Sequence, residues 1–158
     1  MGNSAGGYEQ VVNSKQRMHS TEQLAGLIRR KHQVLLQLRE MGRRQAVLVT
    51  GGDIAPLLSL LAAKQELIAM LQTVERSLAP YYAESPEQRH WNSPQDRAAC
   101  AQLADECNAL LEEIVQLEKA GAEKMALRRN EVAEQLQQVH SAAQVRGAYE
   151  AQRINRAS

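Results

Sequence analysis

Few side chains in this 158-residue chain are of a type and spacing that could do chemistry. His19, His32, His90 and His140 lie far apart, with no His-x-x-x-His and no Cys-x-x-Cys pair. Metal ligands need such close spacings, so neither a metal nor another cofactor is expected. Gly51-Gly52-Asp53 is the one tight glycine run; lacking the lysine and hydroxyl of a phosphate-cradling loop, it reads as a turn that ends a helix. Carboxylates are plentiful, but no pattern gathers a pair in a cleft that would shift their pKa values. Cys100 and Cys107 stand seven apart on an expected helix, their Cα atoms about 10 Å from each other. That separation forbids a bridge, and the two are read as buried small residues on an apolar seam. No catalytic constellation emerges, and the chain is not expected to be an enzyme.

The elements that carry these residues follow from composition. There is no phenylalanine and a single tryptophan, Trp91, while alanine, leucine, glutamine, glutamate and arginine dominate. Such a chain lacks the aromatic and β-branched cover of a sheet and suits helices packed on aliphatic seams. Formal charge is +1, but unevenly placed. Arg29, Arg30, Lys31, Arg39, Arg43 and Arg44 make residues 20–49 basic; Asp96, Asp105, Glu106, Glu112, Glu113 and Glu118 make residues 94–118 acidic. These are expected to be complementary flanks of neighbouring helices. No aromatic residues interleave the arginines to stack bases, so nucleic acid is not an expected partner.

Residues 1–20 lack the apolar run of a secretory signal, and residue 6 is glycine where an acylation signal needs Ser or Thr. The strongest apolar stretch, residues 54–63, contains Pro56 and is too short to span a bilayer. A cytoplasmic location without membrane insertion is expected.

Along the chain, residues 1–19 show no sustained periodicity and are expected to form a mobile arm. Ser20-Thr21-Glu22-Gln23 resembles a capping box, placing a first helix over about 20–49 with a stripe of Leu24, Leu27, Ile28, Val34, Leu35, Leu38 and Met41. Asp53 and Pro56 restart the chain as a second helix over about 54–79, striped by Ile54, Leu57, Leu61, Ile68, Leu71 and Leu78 and widened by Leu58, Leu60, Leu67 and Val74, with Lys64, Gln65, Glu66, Glu75 and Arg76 as its polar share. Pro80, Pro86 and Pro94 bracket a segment carrying Tyr81, Tyr82 and Trp91 that cannot be regular helix throughout and is expected to cap the bundle. Ser93-Pro94-Gln95-Asp96 then starts a third helix, over 94–121 within the bundle and continuing as an amphipathic helix and tail over 122–158. The fold class is therefore all-α: an antiparallel three-helix bundle or coiled coil over residues 20–121, with an overhanging long third helix and flexible termini.

The third helix carries the functional reading. Helices of about 26 to 30 residues cover only the first 40 to 45 Å or so of a helix that exceeds about 68 Å. Beyond Gly121 the seam thins to Met125, Val132, Leu136 and Val139 but stays amphipathic, and Val145, Tyr149 and Ile154 are expected to form a final short helix that orders on binding. An isolated helix of this kind is marginal in water, so a partner is expected through Met125, Val132, Leu136, Val139, Val145 and Tyr149.

The second-helix run Leu57-Leu58-Ser59-Leu60-Leu61-Ala62-Ala63-Lys64-Gln65-Glu66-Leu67-Ile68, followed by Leu71, resembles the core of the FlgN family of flagellar type III export chaperones. A first helix with Leu24, Leu27, Leu35 and Leu38 and a long third helix with a flexible tail agree with that plan, over about residues 20–149; the proline-bearing aromatic segment does not. The resemblance implies a cytoplasmic chaperone that binds C-terminal helical segments of hook-associated (hook-filament junction) proteins, keeps them unpolymerised and delivers them to the export apparatus. It implies substrate binding by the C-terminal part, here Met125 to Tyr149. The alternative is a structural coiled-coil or adaptor protein that forms a homodimer through the same stretch.

Overall fold

The structure, a computed structural model, describes the backbone of residues 5–157 and the side chains of residues 20–156. It is all-α. Helix α1 spans Ala5–Gly51, α2 spans Ile54–Ala83 and α3 spans Pro94–Ala157, with a 3-10 turn at Pro86–Gln88, and no strand occurs among the described residues. The chain divides into two compact units, Met1–Glu118 and Lys119–Ser158.

In the first unit the helices form an antiparallel three-helix bundle. Contacts climb together along α1 and α3, from Ile28 with Cys107 to Arg43 with Glu113, so these two run parallel. Contacts between α1 and α2 run in opposite senses, Gln23 with Tyr81 and Gln45 with Lys64. Each helix presents one seam of alternating three- and four-residue steps. On α1 the buried positions are Thr21, Leu24, Ile28, Lys31, Leu35, Leu38, Gly42, Gln45 and Val49, with Val34 buried beside Leu35; on α2 they are Lys64, Leu67, Val74 and Leu78. On α3 Cys100, Cys107 and Leu110 are buried, with Leu103, Ile114 and Leu117 half-buried between and beyond them. A sustained alternation of this kind keeps one face of a slightly under-wound helix against its neighbours, the geometry of a left-handed coiled coil. Leu35, Leu78 and Cys107 are the most completely enclosed side chains.

Gly52 ends α1 in the left-handed region at φ 73°, as the Gly-Gly pair anticipates. Ser93 caps α3, its Oγ accepting from the Asp96 backbone N–H at 3.1 Å, and Pro94 is the first helical residue, where its missing N–H costs nothing.

Four expectations are corrected. First, α1 starts at Ala5 rather than Ser20, so the stretch expected to be an arm has helical backbone from residue 5. No glycine or proline stands between Tyr8 and Ala25 to interrupt a helix, so Ser20 lies inside α1 rather than capping it, and Thr21 donates its hydroxyl to the His90 carbonyl at 2.8 Å. Second, α2 runs past residue 79 to Ala83 with Pro80 inside it, because a proline near the C-terminal end forfeits one hydrogen bond where few turns follow. Third, Lys64 belongs to the buried seam rather than the polar share. Fourth, α3 is one helix of 64 residues, so Val145, Tyr149 and Ile154 do not form a separate short helix.

Candidate partner-binding surface

In the second unit every residue from 127 to 156 is exposed, and Met125 is half-buried. Val132 is 46% exposed; Leu136, Val139, Val145 and Tyr149 are more so. At about 100° of rotation per residue, Met125, Val132, Leu136 and Val139 share one face of α3. Val145 and Tyr149 fall on roughly the opposite side, together with Leu127. Thus the six residues expected to bind a partner do not form one surface: continuity of the helix through Ala157 brings four together and turns two away. Leu127, 63% exposed, was not among the expected residues; Ile154, 71% exposed and expected in the same short segment as Val145 and Tyr149, returns to the Val132 side by the same rotation. Sequence periodicity over the whole of 119–157 would have separated these two sets, had a single helix been assumed.

A second exposed apolar group lies where α1 gives way to α2: Val47, Ile54 and Leu58 are each more than half exposed. By length and composition α2 is also long and apolar enough to cross a membrane, with a mean hydropathy of 1.5 over its most apolar window, of which 17% is buried. The expectation that the apolar stretch is too short is corrected here, because Pro56 sits in the first turn and leaves the helix unbroken. Two charged side chains of α2 nevertheless belong to the bundle: Lys64 pairs with Glu118, and Glu75 with Lys31 at 2.5 Å.

The electrostatic complement between α1 and α3 is present. Arg43 Nη2 lies 2.7 Å and Arg39 Nη1 3.4 Å from the Glu113 carboxylate, and His32 Nε2 lies 2.9 Å from Glu106 Oε2. Burial would raise the Glu113 pKa, but the hydrogen bonds from Arg43 and Arg39 outweigh it and hold the carboxyl below its ordinary value. Burial likewise lowers the tendency of Lys31 to hold its proton, yet bonds to Glu75 and Tyr82 leave its pKa raised. Cys100 and Cys107 are free and buried, and burial pushes both thiols up. Among the described residues no group of three or more His, Cys, Asp or Glu side chains gathers as a metal site would require; the His19 side chain lies outside them.

The segment between α2 and α3 closes one end of the bundle. Tyr81 OH donates to Gln23 Oε1 at 3.1 Å, Asn92 Nδ2 to Glu22 Oε1 at 3.1 Å, and Trp91 packs against the core. No family model, no curated protein and no solved structure matches this chain.

Proposed function

We propose that this chain is a helix-binding export chaperone of the FlgN type, working in the cytoplasm without enzymatic activity. Its Met125, Val132, Leu136 and Val139 face takes the C-terminal helical segment of a hook-associated protein, keeps it unpolymerised and passes it to the export apparatus. The observation that carries this reading is the apolar row on α3, half-buried at Met125 and exposed at Val132, Leu136 and Val139: spacings of seven, four and three residues are those of a helix that packs against another helix. Scattered apolar residues on a surface need no explanation, but a row in register along one face does. The resemblance of the second-helix leucine run supplies the class of client.

The test is a chain ended after Gly121. It should retain the helicity of the first unit and lose co-purification with the C-terminal segment of a hook-associated protein; unchanged co-purification would sink the proposal. The same row also suits a second copy of the chain, which makes a self-associating scaffold the rival reading. Sedimentation over a concentration series decides: the scaffold shows a dimer that the truncation abolishes, and the chaperone stays monomeric until its client is added.

A further inference from the structure

Tyr82 and the turn that follows α2 line, with α1 and the first turns of α3, a cleft-like cavity of about 260 Å³ that is open to solvent on one side. Leu24, Ile28, Ala101 and Ala104 make one wall apolar, and Tyr82 and Trp91 contribute rings. Its only charged lining residues are Arg89 and Arg97; no Asp or Glu lines it. A neighbouring cavity of about 240 Å³ shares Trp91 and Cys100 but sets Glu22 and Asp96 beside Arg29, so it has no such bias. An apolar chamber with a few convergent polar groups is the usual form of a small-ligand site.

Arg89 is the informative residue. Its side chain is 19% exposed, and its Nη2 donates to the Tyr81 carbonyl, which holds the guanidinium in place. Its Nε is buried and makes no hydrogen bond, with Glu84 Oε2 at 3.9 Å, beyond hydrogen-bonding reach. The guanidinium carries five N–H donors, and a carboxylate in the cavity would take a charge-assisted bond from those that face it. Lys31 Nζ, itself paired with Glu75, stands 3.4 Å from the Tyr82 hydroxyl and 5.9 Å from its ring centre, which helps to hold that ring in place.

We propose that this cavity binds a carboxylate carried on a short apolar chain, the carboxylate on Arg89 and Arg97 and the chain against Leu24, Ile28, Ala101 and Ala104. Two arginines and no acid in the lining disfavour a metal cation, and their guanidinium donors suit a carboxylate better than a purely apolar ligand. A fatty acid and the C-terminal residue of a polypeptide both offer this chemistry. The site is independent of the α3 face and gives a role to the aromatic segment that the chaperone resemblance leaves unmatched.

Trp91 is the sole tryptophan and lines the cavity, so its fluorescence reports occupancy directly. The full chain is titrated with octanoate, with 1-octanol as its neutral counterpart, and with a short peptide ending in leucine as the free acid and as the amide. A saturable change is expected for octanoate, for the free-acid peptide or for both, and the responding arm identifies the source. Each neutral counterpart should bind at least about tenfold more weakly, the worth of one charge-assisted bond. Arg97→Gln should weaken binding by a similar factor, and so should Arg89→Gln. Ala101→Leu, at an exposed helical position that tolerates a larger side chain, should block it by filling the chamber. Circular dichroism establishes that each variant is folded; if Arg89→Gln is not, the other two decide. No saturable response to either carboxylate, an equal response to the neutral compounds, or undiminished binding by folded Arg97→Gln and Ala101→Leu would overturn the proposal.

Discussion

Lys64 of α2 and Gln45 of α1 meet inside the bundle, the ammonium donating to Gln45 Oε1 at 2.8 Å while it also pairs with Glu118 of α3. One buried side chain therefore touches both neighbouring helices, and polar groups at seam positions fix register at some expense of stability. Glu118 is half exposed, so the ion pair itself contributes little. The larger loss on truncation comes from stranding the buried Gln45 amide and emptying the side chain's volume. Lys64→Ala should cost about 2 to 3 kcal/mol. Lys64→Met, which keeps the volume, should cost clearly less. Urea unfolding followed by helical circular dichroism measures both; equal costs would show that the polar contact, not packing, dominates.

Gly42 and Leu117 set how closely α1 and α3 approach. A Cβ on Gly42 would stand 3.3 Å from Leu117 Cδ1 and 3.4 Å from its Cβ, tighter than ordinary contact. Gly42→Ala gains about 1 kcal/mol of helix propensity, and the overlap with Leu117 offsets it, so the single change should be near neutral. In a Leu117→Ala background the obstruction is gone, and the same substitution should stabilise by about that amount. A double-mutant cycle on chemical unfolding provides the check. Additive effects would mean the helices part easily at this layer.

The three stripes were legible because leucine, isoleucine and cysteine repeat along one face: Leu24, Ile28, Val34, Leu35 and Leu38 are all buried where periodicity placed them. The Gly52 turn and the Ser93-Pro94 start were legible because each rests on chemistry within a few residues. The start of α1 was not, since Ser20 and Gln23 have the types and spacing of a capping box, yet α1 already begins at Ala5 and Ser20 lies within it. Lys31 and Lys64 were missed as seam residues because their burial depends on Glu75, Gln45 and Glu118, on other helices. Val145 and Tyr149 fall on the other side of α3 from Val139, a rotation that stays hidden when residues 141–158 are read as a separate segment.

The two thiols give a probe of how the bundle opens. Cys100 is 8% exposed and Cys107 1%, and burial raises both pKa values, which reduces both access and thiolate. Reaction with a disulfide reagent should therefore be slow in buffer and fast in urea, with Cys100, which lines two cavities, reacting before Cys107. Native reaction of both at the rate of a free thiol would contradict their burial.

Acid should loosen α1 from α3 through Glu113. Its folded pKa is depressed below the ordinary 4.5, so its contribution is present above that value and is lost as pH falls through the lower folded one. Replacing Arg39 and Arg43 together with glutamine removes the cause and should flatten the acid side of the stability curve. The midpoint of urea unfolding, recorded at descending pH for both proteins, should fall more steeply in the wild type. A direct titration of the Glu113 carboxyl carbon by NMR should move towards 4.5 in the variant.

The last prediction separates the two sides of α3. If the partner lies on the row of Val132, Leu136 and Val139, then Leu136→Asp and Val139→Asp place a charge in the interface and each should weaken client binding at least tenfold or so. Val145→Asp and Tyr149→Asp carry the same charge on the other side and should leave it within about threefold. All four positions are exposed, so none of these changes removes a buried contact and the first unit should unfold as before. Isothermal titration of each variant with the client segment reads the difference. Equal losses on both sides would mean that the partner wraps the helix instead of lying along it, and losses confined to Val145 and Tyr149 would move the site to the opposite face.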